Sequence, residues 1–202
     1  LYIDGKKIGR QESLCTPHIY DLNEYIGTGI HEMTICVSNV GYKTKGGHLT
    51  SPDTQTNWNG ITGRIELIGY KNAHAENVML WCDIHSKTVR VTADITGGKS
   101  GKAVISAESF NSKKNHTPEI QSFEYTDDKL DALYKMGDDC LLWSEHEPNL
   151  YKLKIDIDGD VSEHIIGMRE FRTEGGKFTI NGEKTFLRGK HDGMIFPKTA
   201  FA

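Results

Sequence analysis

Trp143, Pro148-Asn-Leu-Tyr151, Ile166-Gly-Met-Arg-Glu-Phe171, Phe178-Thr-Ile-Asn-Gly182 and Phe186-Leu-Arg-Gly189 follow one another near the end of the chain. The residues between them set the fold class. Tyr151-Lys-Leu-Lys-Ile-Asp-Ile157 alternates apolar and polar side chains, the period of a strand with one face buried. Asp158-Gly159 then supplies a two-residue hairpin turn, and Val161 to Phe171 returns. Lys177-Phe-Thr-Ile180, Asn181-Gly182 and Lys184-Thr-Phe-Leu-Arg188 repeat that grammar as a second hairpin.

Working back toward the N-terminus, the same pattern recurs. Ala75 to Ile84 reads as a strand, and Thr88-Val-Arg-Val-Thr-Ala-Asp-Ile95 alternates cleanly. Gly97-Gly98 and Gly101 interrupt it before Lys102 to Ala107, and Glu119 to Tyr125 alternates again. Asp127 to Gly137 is the one stretch compatible with a helical turn, and equally with an inserted loop. Several short strands over residues 69–172 predict a β-sandwich, with Trp143 in its core. Within residues 1–68, Leu1-Tyr-Ile3 precedes the hairpin signal Asp4-Gly5. Asp21 to Ile26 reads as a short turn ending at Gly27. His31 to Val37 and Ile61 to Ile68 alternate as half-buried strands, and Gly41 to Asn59 is a long polar loop.

Bulk properties narrow the function classes. A chain of 202 residues holds one large or two small domains. Twenty-one glycines against five prolines suit many turns and short strands. A net charge of −4 without a basic cluster argues against nucleic acid as a partner. No apolar run approaches the ~18 residues of a membrane span, so no membrane partner is expected. Cys15, Cys36, Cys82 and Cys140 are scattered without a CxxC pair, which predicts isolated buried or half-buried thiols rather than a zinc site. A disulfide stays open if the protein is exported. The chain starts at Leu1 with neither an initiator Met nor a signal peptide, as an excised or processed piece would.

Chemistry concentrates in few places. Ser51 to Ile61 gathers Asp53, Asn57 and Trp58 in one loop. Amides and carboxylates bond sugar hydroxyls, and an indole covers the apolar face of a sugar ring. A structural loop with a buried Trp58 is the competing reading. His191-Asp192 follows a strand ending at Arg188, either as a site at a barrel rim or as a solvated loop. Glu145, His146 and Glu147 read as a polar loop after Trp143, and His116 to Glu119 as an exposed loop. Asn115-His116-Thr117 matches the N-glycosylation triplet. Glycosidic hydrolysis needs two facing carboxyl groups, and no such pair stands out.

The order and spacing of these stretches resemble family 2 glycoside hydrolases, the β-galactosidase and β-glucuronidase group. Leu1 to Gly9, Thr16-Pro17 and Tyr20-Asp21-Leu22 resemble the later half of that family's N-terminal jelly-roll domain. Thr56 to Ile61 with Gly63 to Leu67 resembles its last strand region. Trp143 to Tyr151 and Ile166 to Phe171 look like the last strands of the immunoglobulin-like domain. Phe178 to Gly189 looks like the hairpin opening the (β/α)8 barrel. His191-Asp192-Gly193 with Phe196-Pro197 is closest to β-galactosidase-like members from gut bacteria.

The resemblance implies a mostly β chain: residues 1–68 as the C-terminal half of a jelly roll, 69–172 as an immunoglobulin-like sandwich, and 173–202 as the start of the catalytic barrel. It implies that Asn57 and Asp53 reach the terminal sugar and that His191, beside Asp192, contacts substrate. It implies a retaining exo-glycosidase acting on a terminal β-linked sugar, with galactose expected, by double displacement between two glutamates. Those glutamates belong to later barrel strands, so this piece is expected to be architectural and inactive by itself. The sandwich would set the angle between jelly roll and barrel, and the Asn57 loop would line one wall of the sugar pocket. No cofactor is expected in this piece, although family members bind Mg or Na ions. Exposed strand edges would favour a homo-oligomer. A periplasmic or extracellular parent would suit polysaccharide degradation. The rival reading is a carbohydrate-binding or adhesion module without enzymatic activity; a purely structural sandwich is a third.

Overall fold

A computed structural model describes residues 1–13, 16–38, 60–61, 63–70 and 72–189. Cys15, the loop with Asp53, Asn57 and Trp58, and the tail with His191 and Asp192 lie outside the described residues. The described residues form strands and turns, so the chain is mostly β as its alternation predicts. Two compact units are present, one containing Leu1–Leu67 and the other Ile68–Arg188.

In the first unit, β1 (Tyr2–Ile3) pairs antiparallel with β2 (Lys6–Lys7) and with β3 (Met33–Thr34). Asp4 and Gly5 turn between β1 and β2 with φ of 49° and 75°, the left-handed pair that a two-residue hairpin requires. The Asp4 carboxylate accepts from the Glu32 backbone N–H at 2.8 Å and meets His31 Nδ1 at 2.7 Å. Tyr25 and Ile26 both donate to the Leu22 carbonyl, closing the expected turn. Two expectations fail here. His31 to Val37 forms a strand over two residues only, and Met33, Ile35 and Val37 are exposed. Residues 63–70 form no strand, and Ile65, Leu67 and Ile68 are exposed. An alternating sequence holds a strand only where a neighbour pairs with it and a layer covers its apolar side.

The second unit carries β4 (His74–Asp83), β5 (Thr88–Thr96), β6 (Ser100–Ser109), β7 (Gln121–Thr126), β8 (Lys129–Lys135), β9 (Tyr151–Ile157) and β10 (Asp160–Ile166). They form one antiparallel sheet in the order β10-β9-β6-β7-β8-β5-β4. β7 and β8 share a single pair, Thr126 with Lys129, so the sheet divides there into two wings. Alternate residues of both wings meet in one core. Val89, Val91, Ala93 and Ile95 of β5 join Ala103, Ile105 and Ala107 of β6, and Tyr151, Leu153, Ile155 and Ile157 of β9. Each large aliphatic side chain so buried stabilises the fold by roughly 1.5–3 kcal/mol.

The segment left open between helical turn and loop is a strand. Leu130, Ala132, Tyr134 and Met136 are buried in strict alternation. Asp127 and Asp128 turn the chain with φ of 52° and 60°, which aspartate tolerates better than most residues. Apolar Leu133 supplies the misleading helical spacing, yet it faces outward. Gly101 lies inside β6 rather than breaking it. The buried Tyr125 ring crosses that position, and a Cβ there would stand 2.7 Å from its hydroxyl. Cys36 is exposed, not buried, while Cys82 and Cys140 are half-buried free thiols; burial pushes Cys82 up to about 11. Beyond the wings, β11 (Phe171–Glu174), β12 (Lys177–Ile180) and β13 (Glu183–Lys184) form a small sheet in the same unit.

Candidate functional site

Since Asp53, Asn57, Trp58, His191 and Asp192 lie outside the described residues, the candidate site is the joint where β10 passes into the β11–β13 sheet. Its centre is Trp143. The expectation that this ring lies in the core is corrected: it is half-buried at the end of the wings. The segment after β10 crosses beneath it. A Cβ on Gly167 would lie 3.1 Å from three Trp143 side-chain atoms, so only glycine fits without displacing the indole. Trp143 N–H donates to the Met168 carbonyl at 2.9 Å, and Met168 is fully buried. The Arg169 guanidinium stands 4.9 Å from the ring centroid, a cation–π contact on the indole's outer side.

Asn181 completes the joint. It opens the turn between β12 and β13 with φ 53°, followed by Gly182 at 81°. Its side chain bridges two segments: Oδ1 accepts from Glu170 N–H and Nδ2 donates to the Trp143 carbonyl, each at 2.9 Å. Its own N–H donates to the Glu170 carbonyl at 2.9 Å. Asn181 thus ties the hairpin to the Trp143 loop through its side chain and to the segment after β10 through both side chain and backbone. The Glu170 carboxylate meets Arg172 at 2.7 Å and His85 at 3.3 Å.

The loop leading into the joint is held from behind. The buried Tyr151 hydroxyl accepts from Leu141 N–H at 2.8 Å and meets His116 Nδ1 at 2.7 Å. His116 is therefore partly buried and bonded, which corrects its reading as part of an exposed loop. Desolvation lowers the His116 pKa, which favours the neutral ring, and an unprotonated Nδ1 is the form that can accept from the Tyr151 hydroxyl. Burial pushes the Tyr151 phenol up. Asn111 clasps the far side of the same loop, donating to the Pro148 carbonyl at 2.7 Å and accepting from Leu150 N–H at 2.8 Å.

The bonds of this arrangement hold backbone segments to one another. Glu145, His146 and Glu147 form the exposed loop read from the sequence. Among the described residues no group of three or more His, Cys, Asp or Glu side chains is set to hold a metal ion. No described helix is long and apolar enough to cross a membrane. The sequence marks Asn181 only as a turn residue. Asn-Gly reports a hairpin, whereas the bridge to Trp143 spans 38 residues and leaves no local signal.

Residues 73–169 match the profile of Glycosyl hydrolases family 2. A β-galactosidase of Leuconostoc mesenteroides is 23% identical over 100% of this chain and 21% of its own length. One of Thermoanaerobacter pseudethanolicus is 27% identical over 98% of this chain and 28% of its own. The chain thus spans between about a fifth and just over a quarter of the length of these relatives. Among solved structures, Bacteroides uniformis β-glucuronidase 3 aligns over 65% of this chain and 17% of its own at 25% identity, with a TM-score of 0.41.

Proposed function

Through residues 73–169 the chain belongs to the family 2 glycosyl hydrolases, and from that premise we propose that it is the non-catalytic scaffold of a β-galactosidase. The whole protein removes terminal β-linked galactose with retention: one glutamate protonates the leaving oxygen while another attacks the anomeric carbon. On this reading both belong to barrel strands that these 202 residues do not include. The choice of galactose is supported by the relatives, which bear the name β-galactosidase across their alignment with nearly the whole chain.

The observation that carries the architectural reading is the Asn181 bridge. It fixes the direction in which β11–β13 leave the wings, and Gly167, Trp143 and Arg169 are stacked to hold that direction. A misplacement of about 1 Å at a reacting centre costs on the order of a hundredfold in rate, so a rigid joint upstream of a catalytic domain has kinetic value.

The test compares the whole protein, its Asn181→Ala variant and the 202-residue chain alone on nitrophenyl β-galactoside and nitrophenyl β-glucuronide. The whole protein should hydrolyse the galactoside faster and release a β-anomer first. Asn181→Ala should lower kcat about tenfold or more while the fold persists. The isolated chain should give no turnover. Turnover by the isolated chain contradicts the scaffold assignment, and faster glucuronide cleavage contradicts the sugar.

A further inference from the structure

The outer face of β4, β5 and β8 is a grid fixed by register. Glu76, Asp94 and Lys129 form one row, Met79, Thr92 and Asp131 the next, and Trp81, Arg90 and Leu133 the third. Pairing slips between Glu76 and Met79, and Asn77 sits in that bulge at φ 50°. Bulges re-aim side chains. Here the bulge borders a cleft of ≈ 350 Å³ lined by Asn77, Met79, Thr92, Asp94, Lys129 and Asp131. That volume is at the small end of ligand sites, about the size that suits one small molecule.

The polar groups are held in place before any ligand arrives. Asn77 Nδ2 donates to Asp94 Oδ2 at 2.8 Å, and Lys129 holds the other oxygen of that carboxylate. Arg90 grips Asp131 through two bonds of 2.9 and 2.7 Å. The Asn77 bond first, and the Lys129 bond second, lower Asp94; the Arg90 bond lowers Asp131. Both carboxylates are ionised acceptors with lone pairs to spare. The Asn77 amide oxygen and the Thr92 hydroxyl make no hydrogen bond among the described residues. Met79 lines the cleft, and Trp81 lies one row beyond it on the same face with the Arg90 guanidinium 5.8 Å from its ring centroid; they are 55% and 46% exposed.

We propose that this cleft binds an uncharged pyranoside, whose C–H face lies on Trp81 and Met79 and whose hydroxyls bond Asn77, Thr92, Asp94 and Asp131. Glu76, Asp94 and Asp131 against Lys129 and Arg90 leave this face one negative charge in excess, which disfavours a phosphate or a uronate, while Lys129 and Arg90 already occupy Asp94 and Asp131 against a metal cation. Closely set acceptors beside an indole suit a ligand with hydroxyls on its edge and C–H groups on its face. The proposal does not depend on the glycosidase reading, because it concerns only β4, β5 and β8.

The test titrates the isotope-labelled 202-residue chain with methyl β-galactopyranoside, methyl β-glucopyranoside, glucuronate and inorganic phosphate. Each runs to about 50 mM, above the millimolar affinity a ligand of this size reaches. Saturable amide shifts centred on Asn77, Trp81 and Thr92 are expected with at least one uncharged methyl glycoside. Trp81→Ala and Thr92→Val should each weaken binding about tenfold, one kept contact's worth, with an unchanged unfolding transition. Since Thr92→Val keeps shape, a folding defect in Trp81→Ala does not spoil the test. The proposal is overturned by no saturable shift with either glycoside, by equal binding in both variants, or by tighter binding of glucuronate or phosphate.

Discussion

Thr88–Thr96 and His31 to Val37 both alternate apolar and polar residues, yet they end differently. The first is a nine-residue strand between two neighbours, with Val89, Val91, Ala93 and Ile95 buried. The second pairs over two residues, and its apolar side chains stay exposed. The contrast runs through both units. Ile68–Arg188 holds the whole apolar core cluster, whereas among the described residues of Leu1–Leu67 only Ile3 is a buried apolar side chain. Alternation is a capacity to be half-buried. Long neighbours and a facing layer turn it into stability.

The largest expected effect tests that contrast directly. Leu153 is fully buried between the wings, and Leu153→Ala should lose about 2–5 kcal/mol, the sum of lost transfer energy and a residual cavity. Ile35→Ala removes a similar volume from the exposed stretch and should change stability by no more than about 0.5 kcal/mol. Urea unfolding read by tyrosine and tryptophan fluorescence measures both. Equal losses would break the comparison, because they would place a core in the first unit as well.

A smaller effect probes the joint. Tyr151→Phe keeps the ring and leaves Leu141 N–H and His116 Nδ1 without the hydroxyl between them. A partly buried donor left unpaired costs about 1–3 kcal/mol. Amide exchange should quicken at Leu141 before it changes at Leu153. Uniform loss of protection across both would mean that the network belongs to the global core rather than to the joint.

What the sequence made legible follows the same division. The strands of the second unit and the turns at Asp4-Gly5, Asp158-Gly159 and Asn181-Gly182 were readable because their signals are local: a period of two, and a residue pair suited to positive φ. Lys129–Lys135 was not, because outward Leu133 blurred the period. Tyr125 over Gly101, Trp143 over Gly167 and His116 on Tyr151 could not be read either. Each is a contact between segments distant in sequence, and composition carries no trace of it. The sugar-reading residue types cluster around Asn57 and His191, outside the described residues, whereas the joint is defined by side-chain bonds between distant segments.

The smallest prediction sets one histidine of each unit against the other. His31 is raised above its ordinary value, first by its bond to Asp4. Its contribution is fully present below about pH 6.5 and is lost as pH rises through the folded value. Asp4 is lowered, first by the same bond, so its share is present above about pH 4 and is lost only under stronger acid. His116 is lowered by desolvation, so the unfolded chain takes its proton first. Its contribution is complete above about pH 6.5 and falls as pH drops toward the folded value, when protonation removes the acceptor for Tyr151. Between about pH 7.5 and 5.5 the Asp4 clamp should therefore tighten while the joint loosens. Amide protection, corrected for intrinsic exchange, should rise at Glu32 and fall at Leu141 over that interval. Movement of both in one direction would show that a single global transition, rather than two separate histidines, governs the response.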